Sequence, residues 1–366
     1  MSFFANSPAE SIVIGNNVRW DNNSMARAFY NCQNMNSPML IPDGVTNISN
    51  TFSGCKNFNQ EIIVPDSVKN MSYTFFDCNS LNKPVTIGNG VNNMACAFNR
   101  CDKFNHPISI PNGVINMYST FYNCFKFNQP VNIPDSVTNI YSILSNVNFF
   151  NKSVQLGNAI NDASYAFKNC NYFNQPITLP NSLVGMNSMF DGCQNFNQPI
   201  IIPDNVVYMR YTFNRCYNFN QPINIPDNVV DISYMVSEGI NFNQSVNIGN
   251  SVNNMSHAFY GCRNWKCDVN ILIGSGVTNM DYAFANTNFG GEIRILSGNV
   301  TCAYAALFAK NNAKRINIYV PAGSNTNSKF SNTTGYSIFR SSVTWTKDTA
   351  NNCYYNQARN VYVYYE

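Results

Sequence analysis

Residues 127–149 read FNQPVNIPDSVTNIYSILSNVNF, and variations on this phrase of 23 residues run along most of the chain. Its first part alternates: Val131 and Ile133 are apolar and Asn132 between them is polar, the pattern of a short strand with one buried face. Pro134-Asp135 then ends the strand. In the second part apolar residues recur at i, i+4 and i+7, as Met71, Phe75 and Cys78 do one unit type over. That spacing predicts one face of a short helix or 3₁₀ turn. Each unit therefore reads as strand, turn, short helix, turn. None can bury its apolar stripe alone; stacked neighbours bury it together.

The period is kept without slippage. Cys32, Cys55, Cys78, Cys101, Cys124, Cys170, Cys193, Cys216 and Cys262 lie on one grid of 23, with Val147 and Gly239 at the two vacant points. Three residues after each grid point stands a large apolar residue, from Met35 to Trp265, and from Asn36 to Asn243 the next position is always Asn. About twelve units fit between residues 12 and 308, the first and last irregular, as capping repeats are. A longer period lies above this one. Residues 129–158 match 221–250 at an offset of 92, four units, sharing both vacant Cys positions, Ser153 with Ser245 and Gly157 with Gly249. This reads as a block duplication. From 309 the grid stops, and RINIYVPAG, SVTWTKD and NVYVYYE read as strands in Asn/Ser/Gly loops. The expected organisation is thus an N-terminal cap with an irregular first repeat (1–32), a repeat array (33–308) and a β-rich C-terminal cap (309–366). In that cap Tyr354, Tyr355, Tyr362, Tyr364 and Tyr365 are available for packing or contact.

IPDSV followed by NMSYTF, a Cys and FNQ resembles the BspA-type leucine-rich repeat of microbial surface proteins. The NM-x-x-x-F-x-x-C half and FNQ look especially like the related repeat of mycoplasma surface lipoproteins. The resemblance spans roughly residues 12–320 and implies an α/β leucine-rich-repeat solenoid: a right-handed coil with a parallel sheet on one face. It also implies adhesion or host contact as the common role, in some members within phage tails.

Composition narrows the function. Charged residues are 11%, the net charge is +3, aromatics are 14%, and the chain holds 66 Asn but only two His. So weak a charge is no nucleic-acid footprint, and the aromatics argue against disorder. MSFFANSPAESIVIG has neither the basic nor the apolar region of a signal peptide, and no apolar run approaches the length of a membrane span.

Several residue sets invite a site. The Cys column places sulfurs one strand spacing apart, about 4.8 Å, within reach of disulfide geometry. Because Val147 and Gly239 fill it equally well, small buried thiols packing as apolar groups are expected instead. Cys96 and Cys267 lie off the grid and no CxxC occurs, so no metal site is expected. The Asn column reads as an internal ladder satisfying backbone groups. Asp43, Asp66, Asp135, Asp204 and Asp227 read as turn or N-cap acceptors. Arg100, Lys103, Lys126, Lys168, Arg215 and Arg263 cluster near the expected helix C-termini, where they would complement the dipole, or form a basic edge for anionic glycans. His106 and His257 replace Gln and Tyr or Ser of neighbouring units, with no acid or base partner in sequence reach. No catalytic motif is present, so no enzyme and no cofactor are expected.

The leading expectation is a non-catalytic binding or adhesion module whose pre-formed sheet engages a host-surface protein or glycan, or neighbouring subunits of an assembly. No nucleic acid and no membrane insertion are expected. Display on a phage virion, as a tail or baseplate component, comes first; a microbial cell-surface adhesin, or a structural spacer, is the alternative. In either place the chain would be made in the cytoplasm with reduced cysteines and shown on the outside without an encoded signal peptide. The favoured site is the outward middle residue of each strand: Leu40, Ile63, Thr86, Ser109, Asn132, Gln155, Thr178, Ile201, Asn224 and Asn247. These vary while their flanks repeat, and none is charged.

Overall fold

The computed structural model describes residues 3–12, 14, 20–265, 269–297, 316–320, 346–348, 350, 353–356 and 361–365. The chain divides into two compact units, Met1–Leu183 and Val184–Glu366, and each is a stack of coils.

In the first unit two coil positions carry the stack. One is the strand: β1 (Ile62–Ile63) pairs in parallel with β2 (Val85–Thr86), and β3 (Val131–Asn132) with β4 (Val154–Gln155). The other is a column of single parallel bridges, from Ser24 through Asn47, Asn70, Asn93, Asn116 and Asn139 to Asp162, at steps of 23. The second unit repeats both. Its bridges run from Gly185 through Tyr208, Asp231 and Asn254 to Asn279. Its strands are β5 (Ile223–Asn224), β6 (Val246–Ile248), β7 (Val269–Ile273), β8 (Gly291–Ile295) and β9 (Ile316–Val320), paired in parallel in that order. β12 (Val361–Tyr365) adds to β9 in parallel, then β11 (Cys353–Asn356) and β10 (Thr346–Asp348) add antiparallel. The expected C-terminal strands thus extend the repeat sheet itself. The side chains of Tyr354, Tyr355 and Tyr365, and most of 309–345, lie outside the described residues.

The expected short helix does not form. Among the described residues the only helical piece is a 3₁₀ turn at Asp21–Asn23. The stretch before each grid point is a run of overlapping turns: Ala28 N–H donates to Met25 O, Tyr30 to Arg27 O, and Cys32 to Phe29 O. The alternate N–H groups, of Met25, Arg27, Phe29 and Asn31, donate instead to carbonyls of the next coil at Asn47, Ser49, Thr51 and Ser53. A helix would use all of them internally. Two residues per coil, five and one before the grid point, have positive φ, as Tyr73 (56°) and Asp77 (59°) do. Each sits third in its turn, the place where a type II turn requires it. The same i, i+4, i+7 residues still face inward, because a turn every three or four residues presents the same side as a helix.

Inside, the columns are continuous within each unit. Phe29, Phe52, Phe75, Phe98 and Phe121 stack with ring centroids 5.4–5.7 Å apart. A second column, Phe104, Phe127, Phe150 and Phe173, runs alongside at 5.8–6.3 Å. The N-terminal segment joins this stack. Phe4 lies 5.5 Å from Phe29, its N–H donates to Ala28 O, and Asn6 has the positive φ of a regular coil position.

In the second unit Phe213 is fully buried between Phe190 (5.6 Å) and Phe219 (4.5 Å). Phe213→Ala removes these stacking contacts and that with Phe196 (6.3 Å), leaves a cavity the packed coils close only in part, and is expected to cost about 3–5 kcal/mol. Guanidinium unfolding measures this; a midpoint equal to wild type would contradict the placement.

Candidate functional site

The polar columns have structural work. Each Asn of the ladder accepts the backbone N–H of the Asn one coil on: Asn59 to Asn36 Oδ1 at 2.9 Å, Asn82 to Asn59 at 2.8 Å, Asn105 to Asn82 at 3.0 Å, and in the second unit Asn220 to Asn197 at 2.9 Å. The following Gln grips the same residue, as Gln60 Nε2 does on Asn36 O (2.9 Å). His106 fills that role with Nε2 3.1 Å from Asn82 O, so it is a Gln equivalent. His257 stacks between Tyr234 (4.5 Å) and Tyr282 (4.8 Å), where burial lowers its pKa and nearby Asp281 opposes the shift. The turn carboxylates also act across coils. Asp66, Asp135 and Asp227 accept N–H from Asn89, Asn158 and Asn250, and so cap the next coil's turn rather than a helix of their own.

The thiols pack. Cys55, Cys78, Cys101, Cys124 and Cys170 are fully buried, and each donates to the carbonyl 26 residues earlier, at 2.8–3.1 Å. In the second unit Cys216 and Cys262 do the same. Cys96 is buried as well, on the column of positive φ five before the grid point; Cys267 lies outside the described residues. Burial pushes these thiols up, Cys55 from 9.0 to about 12 with the neighbouring Cys32 adding to the rise. A raised folded value means stability that is complete below the unfolded pKa and lost as pH climbs through the folded one. The unfolding free energy is therefore expected to fall between about 9 and 12 on account of Cys55, with a shallower fall in Cys55→Val. Chemical denaturation across that range checks it; parallel curves for the two proteins would refute it.

With no helix, the basic edge needs a different explanation from a dipole. Arg100 pairs with Asp77 (3.5 Å), Arg215 with Asp191 (3.0 Å) and Arg263 with Glu238 (3.5 Å), each acid lying one coil earlier. Lys168 sits over the Tyr165 ring at 5.2 Å. Lys103 and Lys126 are exposed, and neither side chain has a partner among the described residues.

The strand column is free of such work. All ten side chains are exposed, Leu40 at 78%, Ile63 at 61% and Ile201 at 87%, while their flanks, such as Val131 and Ile133, are buried. Register aligns Ile63 with Thr86 and Asn132 with Gln155 in the first unit, and Asn224 with Asn247 in the second. In the second unit the column runs further than the repeat grid indicates, through Leu272 and Arg294 to Tyr319, and so gains a charge. Two inserted residues move Leu272 off the grid of 23 and hide it from a spacing argument. Beside this end lies a cavity of about 340 Å³, lined by Asn224, Asn247 and Leu272 from the sheet, Leu296 just past β8, and Asp204 and Asp227 from the turns. Gly249 and Gly274, on its lining, let adjacent coils approach closely: a Cβ at either would meet a carbonyl of the preceding coil at 2.4–2.5 Å. Among the described residues no group of three metal-ligating side chains occurs, and no helix is long and apolar enough to cross a membrane.

The repeats match a protein family described as "Mycoplasma protein of unknown function, DUF285", at residues 23–132, 88–180, 161–266, 184–296 and 249–317. These overlapping matches take in most of the chain, and the chain belongs to this family of BspA-type leucine-rich-repeat proteins. Among solved structures it is similar to a leucine-rich repeat protein from Bacteroides ovatus ATCC 8483, with 16% identity, a TM-score of 0.48, and 74% of this chain and 81% of that one covered. It is also similar to a leucine rich cell surface protein from Faecalibacterium prausnitzii A2-165, with 19% identity, a TM-score of 0.36, and 66% and 81% covered. No curated protein matches.

Proposed function

We propose that the protein is a non-catalytic binding module that engages a surface partner, protein or glycan, through the outward strand column. One observation carries this reading. The column is exposed and varies from coil to coil, whereas the Asn, Asp and Cys columns and the arginines of the basic edge are occupied by contacts between coils. Its residues are held by a pre-formed backbone, so a partner meets little reorganisation. Leu40 and Ile63 in one unit, and Ile201 in the other, offer exposed apolar anchors, which on a polar surface suit a contact. The ion pairs along the basic edge weaken it as the primary site. Nothing in the comparisons supports the phage-tail placement.

The labelled chain, applied to arrays of extracellular proteins and of glycans, provides the assay. Thr86→Asp, Asn132→Asp and Thr178→Asp together are expected to reduce binding about tenfold or more with an unchanged circular dichroism spectrum. Neutralising Arg100, Lys168 and Arg215 is expected to leave binding intact. The opposite pattern would move the site to the basic edge.

A further inference from the structure

A second exposed column, two residues after each grid point, has no place in the reading above. In the second unit it is structural: Asn218, Asn241 and Asn264 each donate Nδ2 to the Asn one coil earlier, at 2.8–3.2 Å. In the first unit that amide ladder is absent. The same position holds Asn34, Asn57, Ser80, Lys103, Lys126, Phe149 and then Tyr172. Asn57 and Lys103 are exposed, and neither side chain has a partner among the described residues.

This column forms one wall of a groove of about 780 Å³ in the first unit. Asn34, Asn57, Ser80 and Lys103 line one side. Asn36, Asn59 and Asn82 line the other, and Glu10 stands at one end. The oxygens of these three ladder asparagines accept the next coil's N–H, but their Nδ2 groups make no hydrogen bond among the described residues. The groove thus presents unspent amide donors on one wall and amide and hydroxyl groups on the other, repeating at about 4.8 Å per coil.

Further along the column the chemistry changes from polar to aromatic. Phe149 and Tyr172 are 56% and 52% exposed and stack on each other at 5.2 Å. No cation covers the Phe149 ring among the described residues. Large aromatic rings left in water at a position that is Asn in six other coils are not explained by packing.

We propose that this ledge of the first unit is a binding site for an extended oligosaccharide. Side-chain amides and a hydroxyl match sugar hydroxyls, which both donate and accept. The coil spacing is close to the length of one hexopyranose unit, so successive coils can meet successive sugars. The planar pair Phe149–Tyr172 suits the apolar face of a pyranose ring. An extended peptide fits less well, because the walled stretch has no apolar pocket for its side chains. Lys103, unpaired at the junction, favours a chain that carries a carboxylate or sulfate near that point.

The test uses the full chain and an array of linear oligosaccharides of four to eight sugars, neutral (chito- and cello-oligosaccharides) and acidic (hyaluronan and heparan sulfate fragments), with hits followed by calorimetry. At least one probe is expected to bind. Phe149→Ala with Tyr172→Ala, both exposed and so compatible with folding, is expected to weaken it about tenfold or more. Asn57→Ala is expected to weaken it less, and Lys103→Gln to weaken acidic probes only. Thr86→Asp and Asn132→Asp are expected to leave this binding unchanged, which separates the groove from the strand column. Absence of binding to every oligosaccharide overturns the proposal, as does binding that survives the double aromatic substitution. Loss of a protein partner, rather than a glycan, in that same double variant would overturn the ligand class.

Discussion

Everything in this fold follows from where alternate backbone N–H groups go. In the turn-rich half of each coil one N–H closes a turn and the next reaches the neighbouring coil. Met25, Arg27, Phe29 and Asn31 donate outward while Ala28, Tyr30 and Cys32 donate inward. A buried backbone polar group must find a partner, so each coil depends on the next one to complete its own hydrogen bonds. Neighbouring coils must then be in register to the residue. That register stacks like on like: Phe on Phe, thiol against the carbonyl of the preceding Phe column, Asn oxygen under Asn N–H.

The side-chain ladders extend the same rule to the surface. Where the chain enters and leaves the strand, no regular structure satisfies its N–H groups, and Asn at the entry and Asp at the exit do so from one coil below. This accounts for a chain with so much Asn and so little charge. A carboxylate at every step of a ladder would place like charges about 4.8 Å apart; an amide offers the same acceptor without the repulsion. Where charges of opposite sign meet in adjacent coils they pair, as Asp77 with Arg100 and Glu238 with Arg263.

Much of this was legible in the sequence. The period, the apolar columns, the Asn ladder, the parallel strands and the outward set from Leu40 to Asn247 can be read from spacing, because residues fixed by inter-coil contacts recur and the others drift. The helix was misread for a physical reason. Met71, Phe75 and Cys78 have helical spacing, and a run of turns buries the same side; the difference lies in the φ of Tyr73 and Asp77, and neither residue type announces a left-handed conformation. Gly54 and Gly192, at the equivalent of Asp77, were the signal that could have shown it. The groove beside Lys103 was missed because its wall looks like one more asparagine-rich turn. Only the fold shows that its amide hydrogens are unspent and that Phe149 and Tyr172 share its column.

The positional lock between coils also bears on how such a chain can change in length. A deletion of one residue within the turns would set every Phe, thiol and amide beyond it against the wrong neighbour, whereas gain or loss of a whole coil leaves each junction as it was. Ancestry then proceeds in fixed quanta, and the offset of 92 between residues 129–158 and 221–250 is four of them. Copied blocks arrive already able to stack, with the outward strand position unconstrained. Lineages of such proteins can lengthen first and diversify their surface afterwards, one exposed residue per coil at a time.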